Sequence, residues 1–159
     1  MKLEDLKLYQ ECLDFEGKIW EIVNTWEGFN KETVGEAFVK DADAISGNIA
    51  AGYGRYNFKD KKHYCYISRG FLLKTKGWLL KAKEREMIGS EEADELIENV
   101  EKIHRMLNAY IRSIGRKKED NNYERNTNYN KDSEDSNNEP NSNAYTASAD
   151  EFFSEEEIS

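Results

Sequence analysis

The sequence predicts an all-α protein, an up-down antiparallel four-helix bundle followed by a disordered acidic C-terminal tail. Three observations carry this. The single proline in 159 residues is Pro140, so nothing before it forbids long helices. Apolar residues before residue 118 recur at helical steps of three and four, with no strand-like alternation. Glycine-bearing turns divide that stretch into four segments, and short loops between helices favour antiparallel neighbours.

Helix one is expected from about Leu3 to Trp26, with Leu6, Tyr9, Leu13, Ile19, Val23 and Trp26 inward and Glu16 interrupting the row. Gly28 ends it and Asn30 is placed to cap the next. Helix two covers about Lys31 to Ala51 through Val34, Phe38, Ala42, Ile45 and Ile49, and Gly52 and Gly54 break it. Asn57, with Asp60 three residues on, resembles a capping pair for helix three, expected from about Phe58 to Glu86. Its core stripe is Tyr64, Ile67, Phe71, Thr75, Trp78 and Ala82, which fall within about 80° of one another. Gly89 and Ser90 make the next stop and start. Helix four turns Ala93, Leu96, Val100, Ile103, Leu107, Ile111 and Ile114 inward, and Gly115 closes it. Trp20, Trp26 and Trp78 add bulk to one modest core.

The net charge of -9 conceals two different objects. Residues 1–118, the expected bundle domain, hold 21 Lys/Arg against 20 Asp/Glu, a balance of +1; residues 119–159 hold 2 against 12, a balance of -10. The second segment has Ile158 as its one Leu, Ile or Val, so it cannot offset the entropy of ordering its backbone and is expected to be disordered. Phe152-Phe153 among its acids suggests a docking peptide, or a mimic of an anionic partner that competes for basic surface. No apolar run approaches the roughly 18 residues that span a bilayer, and the charged start lacks a signal-peptide core. Cys12 and Cys65 cannot build a disulfide framework or a tetrahedral metal site between them. A soluble protein of a reducing bacterial cytoplasm is expected.

Helix three carries a second apolar stripe, Tyr66, Gly70, Leu73, Gly77 and Leu80, stepping four, three, four, three. One bundle buries one broad face of a helix, and glycines let another backbone approach, so this seam predicts a subunit interface. Arg55, Lys62, Arg69, Lys76 and Lys83 repeat every seven residues along one margin, with Lys74 and Lys81 on the other. Cations extending about 30 Å along a helix can follow a phosphate backbone, which makes the first five the expected nucleic-acid contacts. They can equally be a solvated flank paired to a neighbouring acidic helix.

The acids of helix four, Glu91, Glu92, Asp94, Glu95, Glu98 and Glu101, lie mostly off its apolar stripe and should face water rather than bind metal. His63 and His104 lack an i,i+4 ligand partner, and Gly52-Tyr53-Gly54 is too short for a nucleotide loop. No catalytic residue, metal site, cofactor or small-molecule substrate is predicted.

Ile45-Ser46-Gly47-Asn48-Ile49-Ala50-Ala51-Gly52-Tyr53-Gly54-Arg55 closely resembles the signature S-I-P-x-N-I-A-E-G-x-G-R of bacterial four-helix-bundle proteins encoded in intervening sequences of 23S ribosomal RNA genes. These are related to the accessory variability determinant of diversity-generating retroelements. The likeness continues through Ser68-Arg69-Gly70-Phe71-Leu72 and Gly89-Ser90-Glu91-Glu92, covering about residues 3 to 115 and none of the tail. The resemblance implies a ring, typically a homopentamer, without enzymatic activity; in the retroelement relatives it binds a reverse transcriptase and RNA. Arg55 and Arg69 match basic positions of that pattern. Ser46 stands where the pattern has proline, Ala51 and Lys74 where it has glutamate, and Phe71 where it has serine. The expectation is a non-enzymatic oligomeric adaptor for RNA or a reverse transcriptase–RNA complex. The alternative is a protein-binding scaffold that displays acidic tails and has no nucleic-acid role.

Overall fold

Helix α4, Ser90–Ser113, shows most directly how the sequence makes its element. Ala93, Leu96, Val100, Ile103, Leu107 and Ile111 step by three or four, and each is at most 5% exposed. The acids between them stay on the outer face. Gly115, at φ 89, follows the helix as expected of a residue free to enter the left-handed region.

The computed structural model describes residues 1–116, and Met1–Ile114 forms one compact unit. After a short 3-10 turn at Leu3–Asp5 come α1, Lys7–Asn24, and α2, Glu36–Tyr53. A turn at Gly28–Asn30 and a π-helical turn at Lys31–Gly35 lead into α2 without a break. The third helix, α3, spans Phe58–Glu84. The four-helix bundle is therefore as the sequence predicts, and the described residues contain no strand. The segment 119–159, expected to be a disordered acidic domain of its own, lies outside the described residues.

Sequential helices are neighbours and α1 also meets α4, which leaves α1 and α3 on one diagonal. One end of the bundle gathers Thr25, Trp26, Ile88 and Gly89 around a groove of about 480 Å³. At the other, the Tyr53 hydroxyl donates to the Met1 carbonyl, and the Asn57 side chain caps α3 by accepting from Lys59 N at 2.8 Å.

Helices α2 and α3 make the most extensive pair, and small residues make their approach possible. A Cβ at Gly52 would stand 2.9 Å from Tyr64 Cβ and 3.0 Å from the Lys61 carbonyl. Ser68 Oγ donates to the Ile45 carbonyl at 2.7 Å, and Trp78 Nε1 to Asp41 Oδ2 at 2.7 Å.

Several expectations need correction. In α1 the buried line is Leu8, Cys12, Phe15, Ile19 and Val23, while Leu13 is 45% and Trp20 58% exposed. Glu16 is no flaw at the edge of the row; it is 6% exposed and bonded to Ser46 of α2. In α3 the buried line is Cys65, Ser68, Leu72, Thr75, Leu79 and Ala82. It is rotated by roughly 60° from the predicted stripe. Tyr64, Ile67, Phe71 and Trp78 are half-buried on the side facing α2, because the close contact there admits only small groups at its centre. Asn30 has helical dihedrals and makes no cap. Gly89 and Ser90 make the start of α4 as expected, but α3 stops earlier, at Glu84, and the chain leaves it through Glu86 at φ 56.

Candidate interaction surface on α3

At 100° per residue, Tyr66, Gly70, Leu73, Gly77 and Leu80 lie almost opposite the buried line of α3. Tyr66 is 45%, Leu73 39% and Leu80 49% exposed, and a Cβ at Gly70 or Gly77 would meet nothing within 4 Å. The stripe is thus brought together on one outward face. Single exposed apolar residues need no explanation, but a contiguous row at seam spacing marks a surface for another chain.

The cations border this row as their spacing suggests, but they are not equivalent. On the α4 side, Lys76 Nζ is 2.7 Å from Glu101 Oε1 and Lys83 Nζ 2.6 Å from Asp94 Oδ1. Arg69 donates to Asn108 Oδ1 at 3.0 Å, and its guanidinium lies 5.1 Å from the Tyr66 ring centre. Arg55 donates to the Tyr64 hydroxyl at 2.7 Å with its guanidinium over that ring. Neither Arg55 nor Lys62 has an acidic partner among the described residues. On the α2 side, Lys74 reaches Asp41 at 3.3 Å and Lys81 covers the Trp78 ring. The five-residue row is therefore split: its α4-facing half braces two helices, and its Arg55 end is open.

His104 is buried beside the row, held below the ordinary imidazole value by burial and by Arg69, with Lys76 adding to the effect. Cys12 and Cys65 are both buried; burial pushes Cys12 far up and Cys65 to about 11, which leaves both thiols protonated and unreactive. Among the described residues no three His, Cys, Asp or Glu side chains could hold a metal ion. Glu91, Glu92, Asp94, Glu95 and Glu98 are exposed as expected, and Glu101 is half-buried through its pair with Lys76. No described helix is long and apolar enough to cross a membrane.

Two surface features escaped the sequence reading. Tyr56, 99% exposed, follows Arg55 in the α2–α3 turn, and Phe58, 39% exposed, begins α3. Leu13, Gly17 and Trp20 form an exposed stripe on α1, which the assignment of Leu13 and Trp20 to the core concealed. The signal was present: a glycine four residues after one large apolar residue and three before the next.

Comparison with known proteins agrees with this architecture. No curated protein matches the sequence. A crystal structure of a protein of unknown function from the S23 ribosomal protein family of Bacteroides thetaiotaomicron VPI-5482 is similar in fold, with a TM-score of 0.60 and 18% identity. The match covers 67% of this chain and 99% of that one. The sequence pattern of the 23S rRNA-intervening sequence protein family matches residues 4–109, and the chain belongs to that family.

Proposed function

We propose that this protein is a non-enzymatic oligomeric adaptor in which the α3 seam packs against a second copy and the assembly presents cations to RNA or to a protein–RNA complex. The exposed seam carries the reading, because Tyr66, Leu73 and Leu80 are left to solvent around two open glycines. Burying such a row is favourable at about 25 cal/mol per Å² of apolar surface. The open cations sharpen where RNA would sit. Lys76 and Lys83 already meet carboxylates, so phosphate contact centres on Arg55 and Lys62, with exposed Tyr56, next to Arg55 in the chain, as a platform for an unpaired base. Residues 119–159, with their balance of -10, compete for the same cations.

The test is RNA binding by the full chain across a salt series, with solution mass recorded on the same samples. Arg55→Glu with Lys62→Glu should lower affinity and flatten the salt slope by about two phosphate contacts, while Lys76→Glu should change it less. Absence of binding by the unaltered chain at low salt removes the RNA half of the proposal.

The pairing of Lys76 and Lys83 with α4 favours a second reading, a protein-binding scaffold without a nucleic-acid role. Deleting residues 119–159 separates the two. A scaffold loses its protein partner and gains no RNA affinity, whereas an RNA adaptor relieved of its competitor binds RNA more tightly.

A further inference from the structure

The exposed stripe of α1 has the shape and the charge to receive the seam of α3. Leu13, Gly17 and Trp20 run large, small, large; a Cβ at Gly17 would meet nothing within 4 Å. The centre of the α3 seam, Gly77, Leu73 and Gly70 read backwards, runs small, large, small. Both series step by four and then three. Laid antiparallel, Leu13 faces Gly77, Leu73 faces Gly17 and Trp20 faces Gly70, each bulky side chain over a glycine at matching heights of about 1.5 Å per residue.

The margins are complementary as well. Asp14 and Glu21, both exposed, border the α1 stripe on one side. On the other lies Asp43 of α2, near enough for its charge to act on Glu16. The α3 seam is bordered by Lys74 and Lys81, exposed and seven residues apart like the two acids; Lys74, 61% exposed at its side chain, also reaches Asp41 of its own chain at 3.3 Å and would be shared with Asp14. In the antiparallel arrangement the two margins fall on the same side, and Asp14 comes within one helical turn of Lys74. Because α1 and α3 are diagonal in the bundle, the stripes face away from each other and cannot meet within one chain.

We propose that the Leu13/Gly17/Trp20 face of one copy receives the α3 seam of the next, in a head-to-tail contact. The proposal rests on the self-association reading above and names its missing half. Such a contact uses a different face on each partner, so every added copy leaves one face of each kind open until a ring closes or a filament grows.

The experiment compares the full chain with Trp20→Glu and Leu73→Glu, using sedimentation mass at several concentrations and circular dichroism to check folding. Both sites are solvent-exposed, so helix content should be unchanged. Each variant alone should associate at least about 30-fold more weakly than the unaltered chain. Mixed one to one, they should form a heterodimer and nothing larger, because one intact α1 face then meets one intact seam. Charge reversal gives a second readout: Asp14→Lys should weaken association, and adding Lys74→Asp should restore it. If Leu73→Glu is monomeric but Trp20→Glu assembles normally, the seam is an interface and the α1 face is not its partner. Failure of the mixture to pair overturns the head-to-tail contact in the same way. Normal assembly of both variants places the contact on other surfaces and overturns the seam as well as its α1 partner, whereas a monomeric unaltered chain overturns the self-association reading itself.

Discussion

Glu16 of α1 reaches across the bundle to α2, where its carboxylate accepts two hydrogen bonds from one residue: Ser46 N–H at 2.9 Å and Ser46 Oγ–H at 2.8 Å. Burial pushes this carboxyl from 4.5 up to about 7; the two Ser46 bonds pull the other way and the Asp43 charge adds to the rise. Unfolded chain releases this proton near 4.5, while folded chain keeps it to about 7. Between those values the folded state binds more protons, so stability should fall as pH rises, and above about 7 the loss is complete. The upper bound is about 3 kcal/mol. Urea midpoints measured from pH 5 to 8 should fall more, or rise less, in the unaltered chain than in Glu16→Gln, whose amide can still bond Ser46; His104, held below the ordinary imidazole value, adds the opposite slope to both. Parallel profiles for the two proteins would exclude Glu16 as the source.

The same pair explains a departure from the family-like signature. A proline at position 46, where that signature has one, offers neither an N–H nor a hydroxyl. The serine supplies both, and Glu16 uses both. Ser46→Pro should therefore cost more in the unaltered chain than in a Glu16→Leu chain, by about 1–3 kcal/mol, because only the former leaves a buried carboxylate without donors. A double-mutant cycle in urea measures this coupling. Simple additivity would show that the two residues do not depend on each other.

How much of this was legible follows from the residues. The apolar stripe of helix four was fully readable, because it faces the core directly and its neighbours are acids. Helices one and three were read with the wrong rotation for a shared reason. Hydrophobic patterning gives weight to large side chains, yet the buried line of helix one includes Cys12 and Glu16 beside Phe15 and Ile19, and that of helix three Cys65, Ser68 and Thr75 beside Leu72 and Leu79. Large residues then sit at the margins or outside, as Trp20 and Trp78 do. The seam was legible because it was surplus to one core. The partnering of Lys76 and Lys83 was not, since pairing with Glu101 and Asp94 depends on how α3 is rotated against α4.

The end of α3 stores a correctable strain. Met87 N–H bonds the Ala82 carbonyl at 2.9 Å and Glu86 N–H the Lys83 carbonyl at 3.1 Å, the pattern that closes a helix through a left-handed residue. That residue is Glu86, at φ 56. A side chain there costs about 1 kcal/mol that glycine avoids. Glu86→Gly should raise the melting temperature by roughly 4 °C for a domain of this size. No change, or a lower value, would mean that the gain is cancelled by the freedom glycine adds to the unfolded chain.

Glycine-to-alanine changes should divide according to what each glycine faces. At Gly52 the new methyl would press on Tyr64 Cβ and the Lys61 backbone, neither able to move aside, so Gly52→Ala should destabilise by about 1–3 kcal/mol. At Gly70 the methyl meets open space within one chain, and Gly70→Ala should stabilise the isolated bundle by about 1 kcal/mol through helix propensity. The same methyl would stand where Trp20 of another copy docks, so association should weaken while thermal stability at high dilution rises. Opposite signs from one substitution are hard to obtain unless the glycine is kept for contact between chains. Melting at two concentrations, with sedimentation on the same samples, reads both; a gain in stability with unchanged association would place Gly70 outside any interface.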